Sequence, residues 1–292
     1  MLAYRHAFHA GNPADVLKHV VLLRALHLLA AKPKALSYVD THAGAGSYQL
    51  AERMSQRLGE YMEGVGSLWQ REDVQHALVD GSPGKLPEAV LDYLRAVLGL
   101  NPDGALRVAP GSPLLAAGVL RADDPMRLFE LHPADFRALQ STFARRRQTT
   151  VRQADGFAEL KSVLPPPSRR GLVLIDPSYE LDADYTRLLV ALRDALERFA
   201  TGVYLVWYPL LQSLESQRIS KRLRALAPGA WMDAQLWTAP ARADGYGLMG
   251  SGMFVLNPPF GLPQALREAG PWLAKALGRD GAGRFVQDAH TP

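Results

Sequence analysis

The chain has 292 residues, 48% of them hydrophobic, with no cysteine and a formal net charge of +4. That is enough for one large α/β domain or two smaller ones. The missing cysteines exclude disulfides, thiolate metal sites and a cysteine nucleophile, and they fit a cytoplasmic chain. No membrane span is expected, because the longest apolar runs are interrupted by Lys, Arg or Pro. Met1–His6 lacks the pattern of a secretory signal. A pI near 9.3 is compatible with a polyanionic partner without requiring one.

Asn12-Pro13 opens a first helix, about 13–31. Asn12 suits the N-cap, Pro13 the first turn, and Val16, Val20, Leu23 and His27 fall near helical spacing. His6, His9 and His19 lie close together, but their spacing matches no helical or hairpin ligand set, so no metal is expected. Residues 35–40 read as a strand ending in Asp40, followed by Thr41-His42-Ala43-Gly44-Ala45-Gly46. Gly-x-Gly alone describes an ordinary turn. A strand ending in Asp in front of it brings in a nucleotide-type ligand, which glycines let the backbone approach. Gln49 stands where a dinucleotide fingerprint needs its third glycine, and no phosphate-binding lysine follows.

Residues 48–107 break the βαβ rhythm. They read as helices, about 50–72 and 86–99, around the loop Asp80–Lys85, and so as an inserted helical subdomain. The flanking parts, 1–47 and 108–292, then form one domain. Ser112 stands at the start of an apolar helix, 113–122, as N-cap or as a contact for an anionic ligand group. Further strands read at 126–130, ending in Glu130, at 149–153, running into Ala154-Asp155-Gly156, and at 171–176, ending in Asp176. Helices follow at 133–146 and 182–198. A strand at 202–208, a basic helix at 210–226 and a hairpin, 233–239 with 252–257, complete seven strands. The Gly-rich tail after 278 is expected to be loosely held.

The stretch 171–179 organises the rest. Gly171–Ile175 is a continuous apolar run, as in a buried parallel strand, and it stops at Asp176-Pro177-Ser178-Tyr179. Ligands of open α/β sheets bind at the C-terminal strand ends. Four strands in succession end there in acids: Asp40, Glu130, Asp155 and Asp176. A carboxylate after the second strand can accept the ribose hydroxyls of an adenosine, and one after the third an adenine amine. With Gly-x-Gly they describe a pocket for S-adenosylmethionine.

The chain resembles the class I methyltransferases, and more narrowly the bacterial 23S ribosomal RNA adenine-N6 methyltransferases of the RlmJ type. The resemblance rests on Tyr4–Asn12, Asp15–His19, Asp40–Gly46, Pro110–Leu114, Glu130–Pro133, Ala154–Phe157 and Ser168–Gly171, and covers nearly the whole chain. It implies a seven-stranded, mostly parallel Rossmann-like sheet with helices on both faces. It places S-adenosylmethionine on His19, His42, Ser112, Glu130, Asp155 and Gly156. Lys18, Asp40, Gly44 and Gly46 join that set by proximity. It makes Asp176 the catalytic carboxylate, helped by Pro177 and Tyr179. It sets Tyr4, with Arg5 and His6 beside it, on the RNA. The implied partner is 23S ribosomal RNA, naked or in early assembly, with no membrane and no obligate protein partner. A DNA-adenine or protein-amide methyltransferase, or a non-catalytic RNA-binding protein of this fold, are the alternatives.

One position departs from the family's Asp-Pro-Pro-Tyr: residue 178 is serine. A proline there would hold residue 177 extended and help aim its carbonyl. Asn257-Pro258-Pro259-Phe260 matches the general adenine-amine pattern better. It ends the last strand, which in this fold runs antiparallel, and so is expected at the opposite sheet edge. Arg145–Arg147, Arg169-Arg170 and the 218–224 basic cluster are candidate phosphate contacts.

Overall fold

The computed structural model describes residues 5–51, 59–79, 84, 86–227 and 229–291. Tyr4 and most of the 80–85 loop lie outside the described residues. The strands are β1 (Ser37–Asp40), β2 (Ser47–Gln49), β3 (Val108–Pro110), β4 (Met126–Phe129), β5 (Thr149–Arg152), β6 (Gly171–Ile175), β7 (Val203–Leu210), β8 (Trp231–Trp237), β9 (Gly250–Leu256) and β10 (Arg284–His290). The main sheet runs β10-β8-β9-β7-β6-β1-β4-β5. Its members β5, β4, β1, β6 and β7 are parallel, and β9 is antiparallel to both β7 and β8.

Every residue of β6 is buried, because helices cover both faces of the sheet. Leu172 and Leu174 join the core on one face, while Val173 and Ile175 join the core on the other. This is the two-residue alternation of a strand with both faces apolar.

The first helix, α1 (Pro13–Ala30), is capped as the sequence requires: the Asn12 side chain accepts from the Asp15 N–H at 2.9 Å. It packs against the helices Glu88–Leu100, Ser112–Val119 and Leu262–Leu277 and against β9. Surrounded in this way, it carries Asp15, Lys18 and His19 into the interior. Buried charge needs a partner there, and those partners form part of the site described below. Between β2 and β3 the chain is helical at Val65–Trp69, Glu72–Val79 and Glu88–Leu100. β2 and β3 pair antiparallel at the base of that excursion.

Four expectations are corrected. The main sheet has eight strands rather than seven, because the tail is not loose: β10 pairs antiparallel along the whole of β8. Its glycine content reflects close approach. A Cβ on Gly283 would come within 2.3 Å of the Ala274 carbonyl oxygen in the helix Leu262–Leu277, and one on Gly278 within 2.3 Å of the Gly283 Cα. Second, Gly111 and not Ser112 is the N-cap of Ser112–Val119; the Ser112 hydroxyl turns instead to Asp40. Third, the apolar helix ends at Val119, and the one after His132 at Phe143, both short of the expected ends.

Fourth, three of the proposed phosphate arginines, Arg146, Arg170 and Arg224, are occupied structurally. Arg170 donates to the Lys34 and Leu29 carbonyls, and Arg146 to those of Leu120 and Arg121. Both precede their strands, so both lie at the edge opposite the ends of β1, β4, β5 and β6. Arg224 lies over the Trp231 ring and pairs with Asp233 and Asp288. Asn257 behaves as strand order predicts. Its amide donates to the Ala200 and Gly202 carbonyls, both at 2.8 Å, just before β7 begins.

Candidate functional site

The strand ends carrying the four acids lie side by side in the order β5-β4-β1-β6. Glu130, Asp155 and Asp176 line one cavity of about 260 Å³, with His19, His42, Gly44, Ser112 and Gly156. Asp40 stands behind this wall, fully buried. It accepts from the Tyr38 and Ser112 hydroxyls, each at 2.7 Å. Burial pushes its carboxyl up to about 6, and those two hydroxyls restrain the shift. Asp40 therefore fixes Ser112 and the start of the Gly-x-Gly loop from inside. Gly46 is also behind the wall, its carbonyl accepting from Gly111 at 2.7 Å.

Glu130 accepts the Gly44 N–H at 2.8 Å on one oxygen and the His132 N–H at 2.6 Å on the other. Each oxygen keeps a lone pair for a ligand hydroxyl. Burial raises the acid above the ordinary glutamate value, against the two N–H donors. Asp155 caps the helix Gly156–Val163 through Phe157 and pairs with Arg187 at 2.5 Å. Gly156 must be glycine, because a Cβ would come within 2.0 Å of the Thr41 carbonyl oxygen. The loops after β1 and β5 thus meet across the cavity.

Two of the cavity's histidines, His42 and His19, are held toward the neutral form. Burial pulls His42 down to about 4 and His19 down to about 3. His42 contacts the Thr41 hydroxyl at 2.8 Å and sits edge-on to Phe157. Among the described residues His19 has no hydrogen-bond partner on either ring nitrogen, although it is 1% exposed. A buried orphan of this kind costs stability unless something fills it. S-adenosylmethionine fits this lining. The unpartnered imidazole offers a donor and an acceptor to its polar amino-acid end, and the Glu130 oxygens suit a ribose diol.

At the end of β6 the Lys18 ammonium lies between two carboxylates, 2.7 Å from Asp15 and 2.6 Å from Asp176. Burial works against its charge, but the two acids raise the ammonium well above the ordinary lysine value. Asp15 also accepts His6 at 2.9 Å and the Gly11 N–H at 2.8 Å. Burial opposes its ionisation too, yet His6 and Lys18 hold it well below the ordinary range. Lys18, expected with the cofactor residues, thus has its charge on Asp176. Asp176 and Ser178 line a second cavity as well, of about 740 Å³, where Tyr179 and Trp207 also appear. Tyr179 does not line the first cavity. Its ring lies 4.6 Å from that of Tyr185 and 5.8 Å from that of Trp207. Its hydroxyl donates to the Trp207 carbonyl at 2.7 Å, and its φ is +53°.

Arg5 pairs with Asp135 at 3.3 Å, and His6 lines both cavities. The three N-terminal histidines diverge: His6 goes to Asp15, His9 to Glu60 and His19 to the interior. Among the described residues no group of three or more His, Cys, Asp or Glu could hold a metal ion. Asp15, Asp135, Asp184 and Arg187 were not singled out from the sequence. The Asp184–Arg187 spacing of three was visible there, but it describes any salt-bridged helix face.

The family described as ribosomal RNA large subunit methyltransferase D, RlmJ, has a model that matches residues 33–288. The chain belongs to the RlmJ family. It is 42% identical over 293 residues to ribosomal RNA large subunit methyltransferase J of Haemophilus influenzae, covering 100% of both chains. It is also 42% identical over 283 residues to the Escherichia coli protein of that name, covering 97% of this chain and 96% of that one. A crystal structure of a Legionella pneumophila protein matches with a TM-score of 0.85 at 32% identity, over 97% of this chain and 98% of that one. The RlmJ family model begins after α1, whereas the full-length relatives also span the segment bearing His6, Lys18 and His19.

Proposed function

We propose that the protein transfers a methyl group from S-adenosylmethionine to the exocyclic N6 amine of one adenine in 23S ribosomal RNA. The observation that carries this reading is the junction of the two cavities. Asp176 and Ser178 line both, so a donor in the smaller and a base in the larger would meet at the end of β6.

His19, His42, Gly44, Glu130, Asp155 and Gly156 would hold the cofactor, with Asp40, Gly46 and Ser112 setting the shape of the wall behind it. S-adenosylmethionine supplies an electrophilic methyl on a sulfonium. The adenine amine is a weak nucleophile, because its lone pair is delocalised into the ring. Asp176 and the Pro177 carbonyl accept its two N–H bonds and favour the tetrahedral nitrogen that attacks. An ordinary carboxylate is a poor base toward such an amine, so alignment is the better role. Lys18 holds one Asp176 oxygen, Oδ2, and leaves Oδ1 without a partner among the described residues. Tyr179, pinned by its hydroxyl, offers a ring already in position for a base to stack on.

The adenine must leave its helix to reach this junction. That favours naked or early-assembly RNA over a finished ribosome as substrate. Tyr4, Arg5 and His6 would close on the RNA side. A cytoplasmic location suits this substrate, and among the described residues no helix is long and apolar enough to cross a membrane. The test supplies labelled S-adenosylmethionine with unmodified 23S RNA fragments, with DNA of the same sequence, and with ribosomal protein. Label in RNA alone supports the reading; label only in DNA or protein contradicts it.

A further inference from the structure

The loop joining β8 to β9 takes no part in the chemistry above, yet topology brings it to the same edge. β9 is antiparallel to both β7 and β8, so β8 points the same way as β7. β8 therefore ends at the same sheet edge as β7, with β9 between them, and β6, whose end carries Asp176, lies on the far side of β7. The Met249 N–H donates to the Leu210 carbonyl at the end of β7, at 3.0 Å, and the Thr238 N–H donates to Met249 at 2.9 Å. β10 is antiparallel to β8 and begins at this edge; just before it, the Arg279 N–H donates to Thr238 at 2.9 Å. Thr238, Arg242, Gly247, Leu248 and Arg279 line the larger cavity, which Asp176 and Tyr179 also line.

The loop is folded and does not dangle. Asp244 accepts the Tyr246 N–H at 3.0 Å and the Arg242 guanidinium at 2.9 Å. Gln212 donates to the Arg242 carbonyl at 2.8 Å. What this turn presents is Tyr246, 79% exposed, with Leu248 partly exposed behind it. The next residues, Gly247 and Leu248, line the larger cavity, so the exposed ring stands beside it in reach of a base to stack on. Arg242 and Arg279 line the same cavity and pair with exposed carboxylates, Asp244 and Glu63. Exposed pairs of this kind are worth little and yield readily to a phosphate.

We propose that this loop, residues 238–249, grips the RNA beside the extruded adenine. Tyr246 stacks on a base flanking the gap, and Arg242 and Arg279 take the phosphates on either side. The occupant is a nucleic acid strand and not a protein, because the rim combines an exposed ring with two cations and is continuous with the cavity proposed for the target base. The inference rests on the substrate reading above, and it names the residues by which the strand is held.

The test titrates a 23S RNA hairpin, carrying 2-aminopurine next to the target adenine, into wild type and into Tyr246→Ala, Tyr246→Phe, Arg242→Ala and Arg279→Ala. Methyl transfer is followed separately. Tyr246→Ala is expected to weaken RNA binding about 5- to 100-fold and to remove the stacking change in fluorescence, while Tyr246→Phe retains both. Each arginine variant is expected to lower the salt dependence of binding by about one ion. S-adenosylmethionine affinity reports on folding; if Tyr246→Ala disturbs it, Tyr246→Phe and Arg242→Ala decide. Wild-type affinity, fluorescence and KM in both Tyr246→Ala and Arg242→Ala overturn the loop's role. RNA binding that depends on Tyr246, without methyl transfer by the wild type, overturns the substrate reading and upholds the loop.

Discussion

Replacing Lys18 by methionine removes a cation and little volume. The ammonium is 5% exposed and lies within 2.7 Å of both Asp15 and Asp176. Without it, Asp176 loses the one ion-pair partner it has among the described residues, and Asp15 keeps the His6 ring. Leaving one member of a buried ion pair uncompensated costs about 3–5 kcal/mol. Two carboxylates then face each other, and one is driven to take up a proton. The sign of the pH dependence follows from Asp15, whose carboxyl is held below the ordinary range in the folded wild type. Its stabilisation is present above the unfolded value, ~3.8 to 4, and is lost as pH falls through the lower folded value. The wild type should therefore exceed Lys18→Met by about 3–5 kcal/mol near pH 7.5, and the gap should narrow as pH falls below about 4. Denaturant titrations at a series of pH values measure this. Methyl transfer should fall by orders of magnitude, since a protonated or displaced Asp176 no longer aligns the amine. A variant equal to wild type in stability and turnover at pH 7.5 would refute the assigned charge balance.

Ser178→Pro restores the family's second proline. Ser178 makes no hydrogen bond among the described residues, so the lost N–H has no partner to strand. A severalfold rise in single-turnover rate is expected, with S-adenosylmethionine affinity unchanged. Glu130→Gln leaves one of the Gly44 and His132 N–H groups facing an amide donor, and should weaken S-adenosylmethionine binding about 5- to 150-fold in calorimetry, from an orphaned-donor cost of about 1–3 kcal/mol. Burial holds the Glu130 carboxyl above its ordinary value, so wild-type cofactor affinity should begin to fall, as pH is lowered, before an exposed glutamate would titrate. Asn257→Ala should cost about 1–2 kcal/mol through its two lost hydrogen bonds and leave kcat unaltered, because it lies at the far edge of the sheet.

The sequence carried the site better than its surroundings. The acids at the strand ends could be found because each follows an apolar run, and a sheet that binds ligands at its C-terminal edge must gather them there. Strand order alone separated Asp176 from Asn257, although Asn257 has the better local match. The tail failed because glycine has two uses: read as flexibility it predicts looseness, yet Gly283 is glycine because a Cβ there would come within 2.3 Å of the Ala274 carbonyl oxygen. Arg146, Arg170 and Arg224 failed for a related reason. Charge is visible in a sequence, but whether a guanidinium is already spent on carbonyls or on an aromatic face depends on packing. Lys18 was placed near the cofactor by its neighbours His19 and Asp15, but its link to Asp176, 158 residues away, is a tertiary contact with no local signature. The β8–β9 turn was legible as Arg242-Ala243-Asp244-Gly245, while its position at the same sheet edge as Asp176 needed the sheet order.

The central claim is that Asp176, at the junction of the two cavities, aligns an adenine amine of 23S RNA. The most direct measurement incubates unmodified 23S RNA with labelled S-adenosylmethionine and wild type or Asp176→Ala, digests the RNA to nucleosides and separates them. The account predicts that label from wild type elutes as N6-methyladenosine, and that Asp176→Ala binds the cofactor but yields none. Label in any other nucleoside, or undiminished N6-methyladenosine from Asp176→Ala, would contradict it.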